Sequence, residues 1–118
     1  ILHYQSRAAT VLACMENPPE NLDVIPEIPA YVKAFRYVTY ATPGSDLLAR
    51  AVADAFRYPL VNLVQMQNHG QVVVARSPEA AVQKAMFFEL AAWMVLQSAD
   101  LRRISEPEAA ILRAMKSV

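Results

Sequence analysis

The residue types best suited to chemistry are two histidines. His3 closes a short apolar run and stands two residues before Gln5, while His69 stands between Asn68 and Gly70. Imidazole is a common zinc ligand and exchanges a proton near neutral pH. Two isolated histidines are usually structural or surface groups, so spacing alone names no site. His69 differs in lying in a turn, where functional groups gather on loops held by rigid elements. Other chemistries find less support. Gly44 and Gly70 are the only glycines, so no glycine-rich phosphate loop exists. Neither histidine has a placed partner that would make a Ser-His-Asp arrangement. Cys14, beside Leu12 and Met15, reads as a buried, inert thiol. Glu89, on an apolar helix, reads as an arginine partner or a subunit-boundary residue. Phe87, Phe88, Trp93 and Met94 read as core or interface.

The elements that must position these groups alternate between strand and helix. Ile1 to Tyr4 is β-type, and Ser6 is placed to cap a helix carrying Ala8, Ala9, Val11, Leu12 and Met15. Asn17-Pro18-Pro19 ends it. A loop runs from Glu20 to Pro29, Tyr31 to Phe35 is open between helical turn and strand, and Tyr37 to Tyr40 is a short strand. Ser45 caps a helix with an apolar stripe of Leu47, Leu48, Ala51, Val52, Ala55 and Phe56. Leu60 to Gln67 and Val72 to Val74 are strands joined by the turn Asn68-His69-Gly70. Ser77-Pro78-Glu79 starts a helix reaching about Ser98, apolar nearly all round after Ala85, as in a larger core or a subunit contact. Ser105 and Glu108 have capping-box spacing before a last helix in which Ala109, Leu112 and Met115 face one way.

Composition narrows the partners. The chain has 118 residues, with 11 Lys+Arg against 11 Asp+Glu and a formal net charge of zero. A nucleic-acid binder normally shows a basic excess, so this segment predicts neither nucleic acid nor an anionic membrane as partner. Hydrophobic residues make up 55%, which excludes disorder as the main state. The single cysteine allows no internal disulfide and fits a reducing, cytoplasmic compartment. The run Ala85 to Leu96 is interrupted by Glu89 and too short to span a bilayer. The chain opens inside an apolar run, without Met or a basic leader, and so reads as the interior of a protein.

Five segments, in chain order along the family's pattern, resemble the class II aldolase/adducin family. Met66-Gln67-Asn68-His69-Gly70-Gln71-Val72-Val73-Val74 is similar to the segment around the family's third metal histidine. Ser77-Pro78-Glu79-Ala80-Ala81, with Glu89-Leu90-Ala91-Ala92 beyond it, resembles the helix that follows. Tyr40-Ala41-Thr42-Pro43-Gly44-Ser45, running into Leu47-Leu48, resembles the element before it. His3 to Ala13 lines up on the family's His-x-His strand end and helix, and Ile104-Ser105-Glu106-Pro107-Glu108 resembles the closing helix. The resemblance implies an α/β fold, three-layer α/β/α with a mostly antiparallel central sheet. It makes residues 1–118 the C-terminal part of a single domain. It also implies a homo-oligomer, commonly a tetramer, with active sites at subunit contacts. The implied cofactor is a divalent metal, usually zinc, held by three histidines. His3 matches the first, His69 the third, and the second falls on Gln5.

The resemblance implies a lyase acting on a small molecule, a sugar phosphate or related hydroxy-keto compound. A divalent ion held by both oxygens of such a compound lowers the cost of an enediolate, as retro-aldol cleavage, decarboxylation and epimerisation all require. The family's general base and phosphate cradle belong to its N-terminal half, ahead of Ile1. Tyr31 lies near the region of the family's acid tyrosine but reads as a packed aromatic. Gln5 opens a second reading, because an amide oxygen is a poorer zinc ligand than imidazole. On it, the chain is a metal-less, adducin-like structural or interaction domain.

Overall fold

A computed structural model describes residues 1–116. Its elements are β1 (Leu2–Tyr4), α1 (Arg7–Ala13), one π-helical turn (Ile28–Val32), β2 (Ala34–Val38), α2 (Asp46–Ala55), β3 (Val61–Met66), β4 (Gly70–Val73), α3 (Pro78–Gln97) and α4 (Glu106–Ala114). The four strands form one sheet in the order β1-β4-β3-β2.

The sheet is mixed, which corrects the expectation of a mostly antiparallel one. β4 pairs antiparallel with both β1 and β3, whereas β2 pairs parallel with β3. The reason lies in the connections. A three-residue turn can only reverse the chain between β3 and β4. Between β2 and β3 the chain crosses over through α2, and a crossover returns a strand parallel.

Helices cover both faces of the sheet. On one, α1 and α3 contribute Ala8, Ala9, Leu12, Phe88, Ala91 and Ala92 to a core shared with Leu63 and Val73. On the other, Leu48 and Ala55 of α2 pack on Val38, Val61, Val64 and Met66. The α2 stripe is narrower than expected, because Leu47 points outward, 69% exposed. α3 is buried along Ala81, Ala85, Phe88, Ala91 and Ala92, while Met86, Leu90 and Trp93 lie on its exposed side.

One strand differs from its expected bounds for an identifiable reason. β2 runs over Ala34–Val38 and not Tyr37 to Tyr40, because its partner β3 ends at Met66, opposite Val38. Beyond that point Tyr40 gives its N–H to the Gln67 side chain at 3.2 Å. The N-cap residues Ser45 and Ser77 accept the amides of Leu48 at 3.2 Å and Ala80 at 3.1 Å. Ser6 and Ser105 hold N-cap positions without a side-chain cap.

Candidate functional site

The end of β1 and the β3–β4 turn meet at one end of the sheet. His3 pairs with Val72 and Tyr4 with Gln71, which carries Gln5 against the turn. Asn68 takes a left-handed φ of 56°, a geometry asparagine tolerates better than most residues. Its N–H donates to Ala13 O at 2.9 Å, hooking the turn onto the end of α1. Gly70 is required by close approach. A Cβ there would lie 2.8 Å from both Gln5 Cγ and Tyr4 O, and 3.5 Å from His3 Cε1.

This packing brings all three sequence candidates together. The rings of His3 and His69 meet edge to face with centroids 5.1 Å apart. His3 Nδ1 lies 2.8 Å from Gln71 O. A carbonyl only accepts, so Nδ1 carries the hydrogen and Nε2 of the neutral ring keeps its lone pair. Metal-bound histidines usually make this second contact, which fixes the ring and its tautomer. His69 Nδ1 is a buried atom without a hydrogen-bond partner among the described residues. Gln5 Nε2 donates to His69 O at 2.6 Å, so its amide braces the turn through its nitrogen.

The donor chemistry suits a divalent cation at two of three positions. Two imidazoles are strong ligands for zinc-like ions, and the Gln5 amide oxygen is a weak one. Among the described residues, no three His, Cys, Asp or Glu side chains form a group able to hold a metal. Beside Gln5 a shallow hollow of about 570 Å³ runs along α1, with Arg7 its one charged lining residue among those described. Cys14 lines it too and is exposed, which corrects the expectation of a buried thiol. It follows the last residue of α1, where the chain leaves the core.

Behind the histidines lies a polar layer that sequence reasoning missed. The buried Gln71 donates from Nε2 to Gln65 Oε1 at 2.7 Å and accepts the Ser6 amide at 3.1 Å. Gln65 in turn donates to Ala9 O at 2.8 Å. The residue whose backbone orients His3 therefore also ties down the start of α1. Glu89 completes the layer, its two carboxylate oxygens accepting the amides of Ala8 and Ala9, each at 2.9 Å. This explains the idle Ser6 hydroxyl, because a carboxylate at a helix N-terminus makes the stronger, charge-assisted bonds. Its charge, the only one in the apolar run from Ala85 to Leu96, was the available signal. Gln65 and Gln71 oppose each other in the hairpin register, symmetric about the turn. Tyr31 stacks on Phe87 at 5.3 Å, as a packed aromatic should.

The profile of the class II aldolase and adducin N-terminal domain matches residues 1–96. The chain belongs to this family. Solved structures of class II aldolase type share its fold. YgbL from Klebsiella pneumoniae, a candidate aldolase/epimerase/decarboxylase, is 26% identical with a TM-score of 0.82; the match covers 94% of this chain and 55% of that one. YgbL from Escherichia coli is 23% identical with a TM-score of 0.83, covering 95% and 56%. An L-fuculose 1-phosphate aldolase is 23% identical with a TM-score of 0.77, covering 94% and 52%. The chain thus spans about half the length of these relatives. A search of the curated proteins gave no match.

Proposed function

We propose that residues 1–118 are the C-terminal part of a class II aldolase-type domain, and that the whole protein is a metal-dependent lyase. Its substrate is a small sugar phosphate or related hydroxy-keto compound, cleaved by retro-aldol or decarboxylation chemistry. The observation that carries this is the paired imidazoles of His3 and His69, with His3 Nε2 left available by the Nδ1 contact to Gln71 O. Family membership and the shared fold support it. His3 and His69 would hold a divalent cation, zinc in the first instance, with the Gln5 amide oxygen as weak third donor. A cation bound there supplies positive charge to stabilise negative charge developing on the substrate oxygens. The chain's own part is positional. Gln71 orients His3, Gln5 fixes the backbone of His69, and Asn68 ties the turn to α1.

The reading extends to a cytoplasmic homotetramer with active sites at subunit contacts. No helix among the described residues is long and apolar enough to cross a membrane. The test is elemental analysis of the purified full-length protein together with cleavage assays on sugar phosphates. Occupancy near one divalent ion per chain, lost along with cleavage in His3→Ala and His69→Ala, is the expected result. Less than about a tenth of an equivalent, and no cleavage when excess zinc is supplied in the assay, overturns metal dependence.

Gln5 favours a second reading, a metal-less adducin-like structural or interaction domain. Its amide already serves the turn through the 2.6 Å contact with His69 O. On this reading the full-length protein carries no metal and cleaves none of the substrates.

A further inference from the structure

A cleft at the opposite end of the sheet has chemistry unrelated to the histidine pair. It lies where β2 and β3 begin and β4 ends, away from His69 and its turn by the length of β3, roughly 20 Å at about 3.3 Å per residue. Its volume is about 380 Å³, and its walls include Lys33, Leu60, Asn62, Val74, Arg76 and Lys84. Both lysines are 7% exposed. A buried ammonium is costly unless paired, yet among the described residues neither lysine nor Arg76 forms a salt bridge.

The two lysines differ in how their donors are used. Lys33 Nζ donates to the carbonyls of Ala30, Arg113 and Met115 at 3.1, 3.0 and 2.7 Å, so all three of its hydrogens are engaged. Among the described residues Lys84 Nζ makes one bond, to Val74 O at 3.3 Å, which leaves two of its hydrogens for other acceptors. Burial lowers the affinity of Lys84 for its proton, and the neighbouring charges of Lys33 and Arg76 lower it further. The backbone around the cleft is also constrained. Lys33 and Leu60 both adopt positive φ, 69° and 68°, and are joined by the bond from Ala34 N–H to Leu60 O at 3.1 Å. Side-chain residues hold such geometry only where the surroundings enforce it.

We propose that this cleft binds a phosphate monoester, with Lys84 Nζ and the Arg76 guanidinium donating to the phosphate oxygens and Lys33 adding charge. Three cations are balanced better by a dianion than by a single carboxylate. Guanidinium forks match phosphate geometry. The cleft has room beyond a phosphate, and Leu60, Val74 and Ala75 line it for the organic body of the ester.

The test uses the full chain at about pH 8, where the phosphate is a dianion. Inorganic phosphate and glycerol phosphate are titrated at constant ionic strength, followed by thermal unfolding and by the amide shifts of residues 74–84. Saturable stabilisation by both probes is expected, absent with acetate or chloride. Lys84→Met and Arg76→Ala each weaken binding roughly tenfold or more, the loss of one charge-assisted contact. Arg76 is exposed, so its replacement leaves the fold intact and keeps the test sound if Lys84→Met does not fold. No phosphate-specific shift in the wild type overturns the proposal, as does unchanged affinity in Arg76→Ala or an equal response to acetate.

Discussion

Glu89 accepts the main-chain N–H of Ala8 at 2.9 Å although 81 residues separate them in sequence. One carboxylate from the middle of α3 thereby caps α1, a helix of seven residues that is too short to be stable alone. Glu89→Ala leaves the amides of Ala8 and Ala9 without acceptors and costs about 1–3 kcal/mol. Glu89→Gln keeps one acceptor oxygen and costs less. Urea unfolding measures both, and faster hydrogen exchange at residues 8 and 9 locates the effect.

Gly70→Ala drives a methyl group to 2.8 Å from the Tyr4 carbonyl, which is main chain and yields little. The expected loss is about 1–3 kcal/mol, the range for an overpacked site. Histidine ring resonances of both His3 and His69 shift in the variant. Unchanged stability and spectra would show that the strand end and the turn are not in contact.

Gln5→His supplies a third imidazole beside two existing ones. Divalent metal affinity rises about tenfold or more, read by competition with a chromogenic chelator. If uptake stays at the wild-type level, position 5 does not face the ion.

Stability follows an arched pH profile on the alkaline side. Burial holds Lys84 and Lys33 below their ordinary value of 10.5, so the unfolded chain binds more protons and stability rises as pH climbs towards that value. Burial raises Tyr4 and Tyr37 above their ordinary value of 10.0, Tyr4 also through Glu89 and Tyr37 through Glu20. Above pH 10.0 the unfolded chain therefore loses tyrosine protons that the folded chain keeps, and stability falls. Lys84→Met flattens the rising limb and leaves the fall, as denaturant midpoints across the range will report. A profile identical to wild type removes Lys84 from the account.

The site was legible in the sequence to the extent that its residues were contiguous. His69 sits in a turn that Asn68 and Gly70 announce, and His3 lies in a segment that resembles the family's metal-binding strand. Ser45 and Ser77 marked helix starts because they act on amides three residues away. Ser6 looked the same, but its amides are taken by Glu89, a contact no local pattern encodes. The parallel β2–β3 pairing escaped notice for the same reason, since strand order is set by packing across α2. Cys14 was misplaced because periodicity does not tell where a helix stops covering its neighbour.

Three contacts set the two imidazoles: Asn68 on Ala13, Gln5 on His69, His3 on Gln71. These contacts tie β1, the β3–β4 turn and α1 directly to one another. A substitution at position 5 therefore removes one of these three contacts and leaves the other two in place.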